Sequence, residues 1–450
     1  MSLSFNLISL GCPKNQVDSE TMFTRLEKSG IRFTSDPDGC DICVVNTCGF
    51  IEAARKESIG VIMEAVEKKK SGAIKYIAVT GCMVNNNEET LKKELPEVDI
   101  FLTTFDEEKI AEEIESAAGK KISPKRTAVS SKKYNEFERE HFNLKSTAYL
   151  KISEGCGRSC SFCTIPSIRG AYRSKSIEEI KKEAAYLASA GVEELIIVSQ
   201  DTSYYGMDAG IKNGLYLLLK ELIKIKGVKW IRLMYLYPSI SLFTDDLISL
   251  FNNEEKILKY IDMPVQHISD EILRLMKRGE SKKDVLKIIE KIKNKIPDAA
   301  LRTSLITGFP GETDKDFEEL LRFVKDVKFD SLGVFKYSDE RTAGSYKYKQ
   351  KVSAKIKSER YKILMETQKS LICSIMSKHI GRTYEAVIDE INNKTVKLRT
   401  YFQSPDIDGY TYMYLEDLKN IPDYIAKKKF TCVNINKIKD YDLLCTPSAI

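Results

Sequence analysis

A short segment of the chain, EGCGRSCSFC, holds three cysteines within eight residues: Cys156, Cys160 and Cys163, here named the central triad. Cysteine thiolates are ligands of four-iron, four-sulfur clusters, and three thiolates leave one iron of such a cluster open. An open iron can bind the amino and carboxylate groups of S-adenosylmethionine, so that an electron from the cluster cleaves a carbon–sulfur bond to give a radical. Zinc is the alternative, but a closed zinc site needs a fourth Cys or His close by, and the sequence offers none there.

Three further cysteines, Cys12, Cys48 and Cys82, here named the N-terminal triad, each follow one of the first three predicted strands and stand beside a glycine. In an open α/β sheet the carboxyl ends of the strands form the ligand crevice, so these thiols are expected to meet there. The adjacent glycines would let the backbone approach a bulky group. The pattern predicts a second cluster with an open iron, and the alternative is three buried cysteines near strand ends.

The remaining cysteines give weaker signals. Cys40 and Cys43 form a CxxC, but Cys43 opens the apolar run CVVN and no thioredoxin-like pattern follows, so we interpret both as packing or surface thiols. Cys373, Cys432 and Cys445 are isolated and are predicted to be structural. The total of 11 cysteines is odd and their spacing is uneven, which favours metal ligands and buried thiols over a disulfide framework.

The elements that must position these cysteines form successive blocks of an α/β protein. Residues 4 to 118 alternate apolar and amphipathic runs, with a first helix after Asp18, and predict a doubly wound α/β domain. Residues 119 to 143 are polar and aperiodic and are interpreted as a linker. Residues 144 to 373 contain six βα units, which predict an open, partial parallel (β/α) barrel. Residues 374 to 450 hold short β-branched, tyrosine-rich runs typical of a small antiparallel β-barrel.

The spacing CxxxCxxC after a strand, in a repeated βα context, resembles the motif of the radical S-adenosylmethionine enzymes. Over nearly the whole chain the sequence is similar to the methylthiotransferases of that class. Those proteins have an N-terminal methylthiotransferase domain, a radical core and a C-terminal TRAM domain, in the order predicted above. The resemblance implies two 4Fe-4S clusters and S-adenosylmethionine as cofactors, with the auxiliary cluster on the N-terminal triad and the radical-generating cluster on the central triad.

Within that family the segment from Ile8 to Glu20, ISLGCPKNQVDSE, looks like the RimO-type branch, whereas the tRNA-modifying branches usually carry other residues after the cysteine. The segments PSIRGAYRSK, YLYPS, MPVQHISD, LRTSLITGFPGET and PDIDGYTY are similar to the same branch. The loop from Thr342 to Ser345 departs from the usual Gly-Thr-Pro-Ala, which bears only on the shape of that loop. The resemblance implies methylthiolation of the β-carbon of an aspartate in a small-subunit ribosomal protein, the twelfth.

The charge of the predicted C-terminal domain bears on the substrate. From Ser374 to Ile450 the sequence has 11 Lys plus Arg and 10 Asp plus Glu. A domain that clamps tRNA would be expected to carry a basic excess, so this neutral balance favours a protein substrate. Two alternatives stay open: methylthiolation of a tRNA adenosine, and a non-catalytic iron–sulfur protein for electron transfer or binding.

Polar residues at predicted strand ends around the barrel mouth are placed to contact the methionine and ribose groups of S-adenosylmethionine. These candidate cofactor contacts are Ser199, Gln200, Arg302, Gly308 and Glu312. Each has a structural role as its alternative, and the run GFPGE, which holds the last two, also describes an ordinary turn. Arg169 and Arg173 could contact an anionic group, with a solvated surface as the equal alternative. The sequence identifies no catalytic acid or base.

The whole chain, at 450 residues, is expected to be soluble and multidomain. Its 71 basic and 65 acidic residues are interspersed and leave a net charge of +6, which suits a ribosome-associated partner without requiring one. We find no signal-like start and no uninterrupted apolar run of about 18 residues, so we expect no membrane and a cytoplasmic location. The expected partners are the ribosomal protein substrate, free or on the assembling ribosome, and an electron donor such as a flavodoxin or ferredoxin.

Overall fold

The computed structural model describes residues 3–119, 139, 142, 146–415 and 429–448. The strands of this part are β1 (Ser4–Ser9), β2 (Arg32–Phe33), β3 (Ile42–Thr47), β4 (Tyr76–Gly81), β5 (Ile100–Leu102), β6 (Thr147–Lys151), β7 (Ser153–Glu154), β8 (Arg173–Ser174), β9 (Glu194–Val198), β10 (Trp230–Leu233), β11 (Ile257–Asp262), β12 (Ala300–Thr307), β13 (Ser331–Lys336), β14 (Thr383–Ile391), β15 (Thr395–Thr400), β16 (Thr411–Tyr414), β17 (Phe430–Lys439) and β18 (Asp442–Pro447). The helices are α1 (Pro13–Lys28), α2 (Glu52–Lys70), α3 (Glu88–Glu94), α4 (Ile110–Ala117), α5 (Ile165–Arg169), α6 (Ile177–Ser189), α7 (Gly214–Leu222), α8 (Asp245–Asn253), α9 (Asp270–Leu275), α10 (Lys282–Lys295), α11 (Asp314–Val327) and α12 (Ala354–Met376). In the ranges just given, no helix combines the length and the apolar character that crossing a membrane would require. Most of the predicted linker, residues 119 to 143, lies outside the described residues.

The first unit is a five-stranded parallel sheet in the order β2-β1-β3-β4-β5. One apolar core lies under α2, and another lies under α1 and α4 on the opposite face. Because both faces are covered, β3 is buried along its whole length. This arrangement confirms the doubly wound prediction. The predicted start of the first helix was wrong: α1 begins at Pro13 and already contains Asp18, because the fixed φ of proline suits the first helical position.

The second unit is a six-stranded sheet in the order β13-β12-β11-β10-β9-β6, parallel throughout. Alternate residues of its strands face two different cores, as the period of a strand requires. Leu150 and Ile197 pack under the helices, whereas Tyr149 and Ile196 face the other side. Helices lie between successive strands of the sheet, which has open edges at β13 and β6, so the prediction of an open, partial (β/α) barrel is confirmed.

The third unit is a closed five-stranded barrel in the order β14-β15-β16-β18-β17. Neighbouring strands run antiparallel except β16 and β18, which run parallel, so the prediction of an antiparallel barrel is confirmed apart from that ladder. The barrel packs on the face of the central sheet that the helices leave open. There Trp230 meets Phe430 edge to face, with ring centroids 4.9 Å apart.

A buried group of four charges, here named the buried quartet, fixes this barrel to the central sheet. Glu194, the first residue of β9, lies 2.9 Å from Arg232 and 2.7 Å from Arg399, and Arg399 also lies 2.6 Å from Asp389. All four side chains are 0% exposed. Charges taken out of water are tolerated only when each one is compensated, so the four side chains depend on one another.

Candidate functional site

The N-terminal triad comes together at the carboxyl edge of the first sheet. Cys12 precedes α1, Cys48 follows β3 and Cys82 follows β4. Gly11 has a φ of +92°, and a Cβ on it would lie 3.0 Å from the Cys48 Sγ, so glycine is required for this approach. Burial, helped by the nearby sulfurs of Cys12 and Cys48, raises the pKa of Cys82 to about 12. The three sulfurs are therefore close enough to affect one another, with Cys82 buried and Cys12 and Cys48 half-buried.

The central triad lies on the loop that follows β6 and β7, at the carboxyl end of the central sheet. The backbone N–H of Arg158 donates to the Cys156 Sγ at 3.4 Å. The backbone N–H of Ile165 donates to the Cys163 Sγ at 3.5 Å. The Arg278 guanidinium lies 3.7 Å from the Cys160 Sγ. Hydrogen bonds to the sulfurs are a normal feature of protein-bound iron–sulfur clusters. Each sulfur of the central triad therefore has a donor close by.

Gly155 shapes this loop. Its φ is +73°, and a Cβ on it would lie 2.2 Å from the carbonyl oxygen of Ala171, much closer than atoms can approach. We expect the substitution Gly155→Ala to displace Cys156 and to lower the iron content of reconstituted protein by about half, since one of two cluster sites is distorted. Iron and sulfide analysis per chain measures this effect.

The matched control for this prediction is Gly157→Ala, on the other side of Cys156. The nearest atom to a Cβ there is 3.7 Å away, and the φ of Gly157 lies outside the left-handed region. This variant is expected to keep its iron content, because alanine fits without moving the loop. Full iron content in the Gly155→Ala protein would show that the loop tolerates the change.

The sulfurs fit an iron–sulfur cluster better than a single metal ion. Each triad supplies three thiols, which is the ligand set of a cuboidal cluster with one open iron, whereas a closed zinc site takes four ligands. A cuboidal cluster is a larger body that thiolates grip from separate irons. Burial also raises the pKa of the Cys163 thiol to about 12, and an iron bound at this sulfur would have to displace its proton.

A cavity of about 440 Å³ lies beside Cys82 and the chain that follows the central triad. Gly49 and Cys82 line it from the N-terminal domain, and Thr164 and Ile168, which directly follow the central triad, line it from the central domain. The loop of residues 339 to 342 completes its wall. A volume of this size accepts a side chain or a small ligand. One cysteine of the N-terminal triad and the chain beside the central triad therefore border the same space.

Polar contacts join the two domains around this cavity. Arg55 of α2 lies 2.6 Å from Glu340 of the loop after β13. The Lys14 Nζ lies 3.5 Å from the centre of the Tyr235 ring, and Lys14 is 8% exposed. Tyr235, just after β10, has a φ of +60°, a strained conformation that often marks a functional site. Within the described residues Lys14 has no carboxylate contact; burial lowers its pKa, but Tyr235 and Cys12 outweigh that effect and raise the pKa above its ordinary value.

Arg169 occupies the centre of this junction. The sequence leaves it open between an anion contact and a solvated surface, but the side chain is 2% exposed. Its Nε donates to the Cys82 Sγ at 3.2 Å, its Nη1 to Asp18 at 2.7 Å and its Nη2 to Asn15 at 3.1 Å. Arg173, in contrast, is exposed. The only local signal for Arg169 is its position six residues after Cys163, because its partners lie far away in sequence.

Ser199 and Gln200 lie at the predicted place, directly after β9. The Ser199 hydroxyl hydrogen-bonds to that of Ser153, and the Gln200 Nε2 donates to Glu154 at 3.4 Å. The Gln200 Oε1 is buried and has no hydrogen-bond partner in the described part of the chain. Buried polar atoms normally have partners, so this oxygen is available to a donor on a ligand. Since Glu154 lies two residues before Cys156, that acceptor is close to the central triad.

Arg302 lies elsewhere than predicted. It is the third residue of β12 rather than a residue at the strand end, because β12 continues in register with β13 as far as Thr307. Its guanidinium lies 2.8 Å from Asp262 and 3.5 Å from Asp408. The expected strand-end position is therefore wrong, and the cofactor contact stays a prediction.

The turn after β12 is held by Glu312. Its carboxylate accepts from the Gly308 N–H at 2.7 Å and from the Arg360 Nη1 at 2.6 Å, and it lies 3.6 Å from the His267 Nε2. Gly308 itself has a φ of +74°. The structure thus gives Glu312 partners within the protein, and the predicted contact of Gly308 and Glu312 with the cofactor is untested.

The remaining cysteines lie away from this junction. Cys40 and Cys43 are buried in the core under α2, which confirms a packing role for both. Burial raises the pKa of Cys43 to about 12. Cys445 is buried in the C-terminal barrel, Cys432 is half-buried and Cys373 is exposed on α12.

Family models match three consecutive stretches of the chain. Residues 4–103 match the model described as Uncharacterized protein family UPF0004, residues 150–324 match the Radical SAM superfamily, and residues 380–447 match the TRAM domain. The first stretch contains the whole N-terminal triad, and the second contains the central triad.

Curated relatives align over nearly the full length. The protein of Clostridium tetani named ribosomal protein uS12 methylthiotransferase RimO is 40% identical over 442 residues, which cover 98% of this chain and 97% of that protein. The protein of the same name from Clostridium botulinum is 42% identical and covers 97% of this chain and 96% of its own length. The one from Thermosipho africanus is 44% identical and covers 91% of this chain and 93% of its own length.

Solved structures support the fold. The radical S-adenosylmethionine methyltransferase TsrM from Kitasatospora setae, with cobalamin and a [4Fe-4S] cluster bound, superposes with a TM-score of 0.56 at 12% identity and covers 75% of each chain. A second structure of that enzyme, with tryptophan and a S-adenosylmethionine analogue bound, gives a TM-score of 0.55 over 74% of this chain and 73% of its own. At this identity the likeness concerns the fold alone.

Proposed function

Because the chain belongs to the RimO family of ribosomal protein uS12 methylthiotransferases, we propose that it transfers a methylthio group to ribosomal protein uS12 by radical chemistry that consumes S-adenosylmethionine. The proposed acceptor is the β-carbon of an aspartate. The observation that carries the proposal is the single cavity bordered by Cys82 of the N-terminal triad and by the residues directly behind the central triad. Sulfur transfer to a carbon radical requires that both sites reach one substrate atom.

The six cysteines are the proposed ligands of two 4Fe-4S clusters, an auxiliary cluster on the N-terminal triad and a radical-generating cluster on the central triad. When bound, these clusters supply the electron that cleaves S-adenosylmethionine and an open iron that can carry sulfur. The proposal is supported by the cavity that Cys82 of the N-terminal triad lines together with Thr164 and Ile168, which follow the central triad in the chain. The proposed contribution of the protein is therefore to fix the distance between the two cluster sites.

The choice of an aspartate as acceptor is supported by Lys14. The Lys14 ammonium is buried beside Tyr235 and has no carboxylate partner among the described residues, so it can pair with the carboxylate of a substrate aspartate. The same residue follows Cys12 in the segment CPKN, so a carboxylate held by Lys14 would lie beside the N-terminal triad. The β-hydrogen of an aspartate is not acidic enough for ordinary base catalysis, which explains the need for a radical.

The proposed contacts of S-adenosylmethionine are Ser199, Gln200, Arg302, Gly308 and Glu312. Gln200 has the clearest support, because its buried Oε1 lacks a partner among the described residues and its Nε2 lies 3.4 Å from Glu154. Glu312 would act through the shape of the turn that it holds, and Arg302 through its ion pair with Asp262.

Several wider features belong to the same proposal. The domain boundaries are 4–118 for the methylthiotransferase domain, 119–143 for the linker, 144–373 for the radical core and 374–450 for the TRAM domain. The protein acts in the cytoplasm on uS12, free or on the assembling ribosome, and takes electrons from a flavodoxin or ferredoxin.

The test of the proposed function is an anaerobic assay with reconstituted protein, a reductant, S-adenosylmethionine and a peptide that carries the uS12 loop. A methylthio mass shift on the aspartate together with 5′-deoxyadenosine release is expected. A matched peptide with asparagine in place of that aspartate should gain no methylthio group, because it lacks the carboxylate.

A tRNA substrate is tested in parallel by mass spectrometry of tRNA from the same reaction. Deoxyadenosine release with modified tRNA and an unmodified peptide would overturn the proposed substrate and keep the radical chemistry. The absence of any S-adenosylmethionine cleavage by fully loaded, reduced protein would overturn the proposed reaction itself.

A further inference from the structure

The Arg169 side chain makes a direct contact with a sulfur of the N-terminal triad although it belongs to the central domain. Its Nε lies 3.2 Å from the Cys82 Sγ, a good distance for a hydrogen bond to sulfur. Arg169 is 2% exposed and Cys82 is 7% exposed, so water does not compete for this contact. A charged donor in a dry environment gives one of the stronger kinds of hydrogen bond.

The orientation of Arg169 is fixed by groups from both domains. Asp18 and Asn15 of α1 accept from its two terminal nitrogens at 2.7 Å and 3.1 Å, and Glu154 accepts at 3.2 Å. Lys151 contacts both Asp18 and Glu154 and completes the charge balance. Acceptors from both domains thus hold the planar guanidinium through its terminal nitrogens. In this orientation the Nε–H points at the Cys82 sulfur.

Arg169 is also tied to the central triad through the chain. It is the last residue of α5, and α5 begins two residues after Cys163. A helix of five residues is about 7–8 Å long at 1.5 Å per residue, so the path from one triad to the other is short and regular. Glu154, which pairs with Arg169, lies two residues before Cys156. Both ends of the central-triad loop therefore converge on the side chain that contacts Cys82.

We propose that Arg169 is a positioning residue that donates a charge-assisted hydrogen bond to Cys82 as a ligand of the auxiliary cluster, raises the reduction potential of that cluster and fixes its distance from the central triad. The inference rests on the proposed function, since it takes the N-terminal triad as a cluster site. A hydrogen bond to a ligating sulfur offsets the negative charge gained on reduction, so it favours the reduced state.

The charge of Arg169 and its hydrogen bond can be separated by substitution. Arg169→Lys keeps a positive charge for Asp18 and Glu154 but has no donor at the position of the Nε. Lys151→Gln removes a positive charge from the same two carboxylates and leaves the Arg169–Cys82 contact in place. The two variants are therefore matched, one for the loss of the hydrogen bond and one for the loss of nearby charge.

The experiment is a potentiometric titration of the auxiliary cluster, followed by electron paramagnetic resonance, in full-length chains. The three cysteines of the central triad are replaced by alanine so that one cluster gives the signal. Arg169→Lys is expected to lower the midpoint potential, and Lys151→Gln is expected to shift it less. Equal shifts in the two variants, or no shift in Arg169→Lys, would overturn the assignment.

A second measurement needs no substitution in the contact itself. Protein that lacks the central triad, is labelled with ¹⁵N-arginine and keeps Arg169 should show a nitrogen hyperfine coupling to the reduced auxiliary cluster by pulsed electron paramagnetic resonance. The coupling should vanish in Arg169→Lys and persist in Lys151→Gln. A loaded cluster without this coupling would overturn the proposal for Arg169, whereas failure of unsubstituted protein to bind a second cluster would overturn the cluster assignment under the proposed function.

Discussion

Replacement of Cys48 with alanine is expected to abolish methylthiolation of the uS12 peptide while S-adenosylmethionine is still cleaved. Cys48 belongs to the N-terminal triad, and its loss leaves two thiolates for a cluster that needs three. The central triad lies on another domain and keeps all of its sulfurs. Release of 5′-deoxyadenosine and the mass of the peptide, measured in one anaerobic reaction, separate the two activities.

Two control variants sharpen this result. Cys163→Ala is expected to abolish both activities, because the radical-generating site loses a ligand. Cys43→Ala lies on β3 with its side chain in the core under α2, and should keep both activities. A Cys48→Ala protein that still methylthiolates the peptide would contradict the role of the N-terminal triad.

Replacement of Arg399 with methionine is expected to destabilise the contact between the C-terminal barrel and the central sheet by about 3–5 kcal/mol. The change leaves Glu194 and Asp389 with a single cation, Arg232, and all of these groups are 0% exposed. The one tryptophan of the chain, Trp230, packs on Phe430 at this contact, so its fluorescence during urea denaturation reports the loss.

The control for this experiment is a surface ion pair that joins the same two units. Arg382 lies 3.4 Å from Asp298, and its side chain is 53% exposed. Exposed pairs contribute about 0–1 kcal/mol, so Arg382→Met should leave the urea midpoint nearly unchanged. Equal midpoints for the Arg399 and Arg382 variants would show that the buried quartet does not hold the barrel.

Acid should weaken the same contact. Burial alone would raise the pKa of Glu194, but Arg399 and Arg232 lower it from 4.5 to about 2. A carboxylate with a lowered pKa in the folded state stabilises the protein above its unfolded pKa, and this stabilisation is lost as the pH falls from about 4.5 towards 2. The difference in urea midpoint between the unsubstituted protein and Arg399→Met should therefore shrink over that range.

The positions of the six triad cysteines follow from the sequence for a definite reason. Cys12, Cys48 and Cys82 each follow a strand closely, and the central triad lies on the single loop after β7. The carboxyl ends of parallel strands meet at one edge of a sheet whatever the length of the helices between them. The three-unit α/β architecture follows from the same alternation of strand and helix patterns. Local pattern therefore suffices for both.

The side chains that join the domains do not follow from local pattern. Arg169 meets Asp18 across 151 positions of sequence, and Arg399 meets Glu194 across 205. Each looks like an ordinary surface cation in its own segment, because its burial is decided by how domains pack. The strand position of Arg302 was wrong for a related reason: the length of β12 is set by its register with β13 and not by its own apolar run.

Helix α1 both follows a cysteine of the N-terminal triad and contacts residues outside its own domain, which limits how domains of related proteins can be exchanged. It starts beside Cys12, and its buried side includes Asp18, which meets Arg169 and Lys151, and Glu20, which pairs with Arg139. A chimaera that exchanged the N-terminal domain between distant relatives would place a foreign α1 against these cations. Such hybrids are expected to assemble only when the acidic residues of α1 are transferred together with Arg139 of the linker and with Lys151 and Arg169 of the core. The N-terminal domain is therefore expected to be exchangeable only together with these partners.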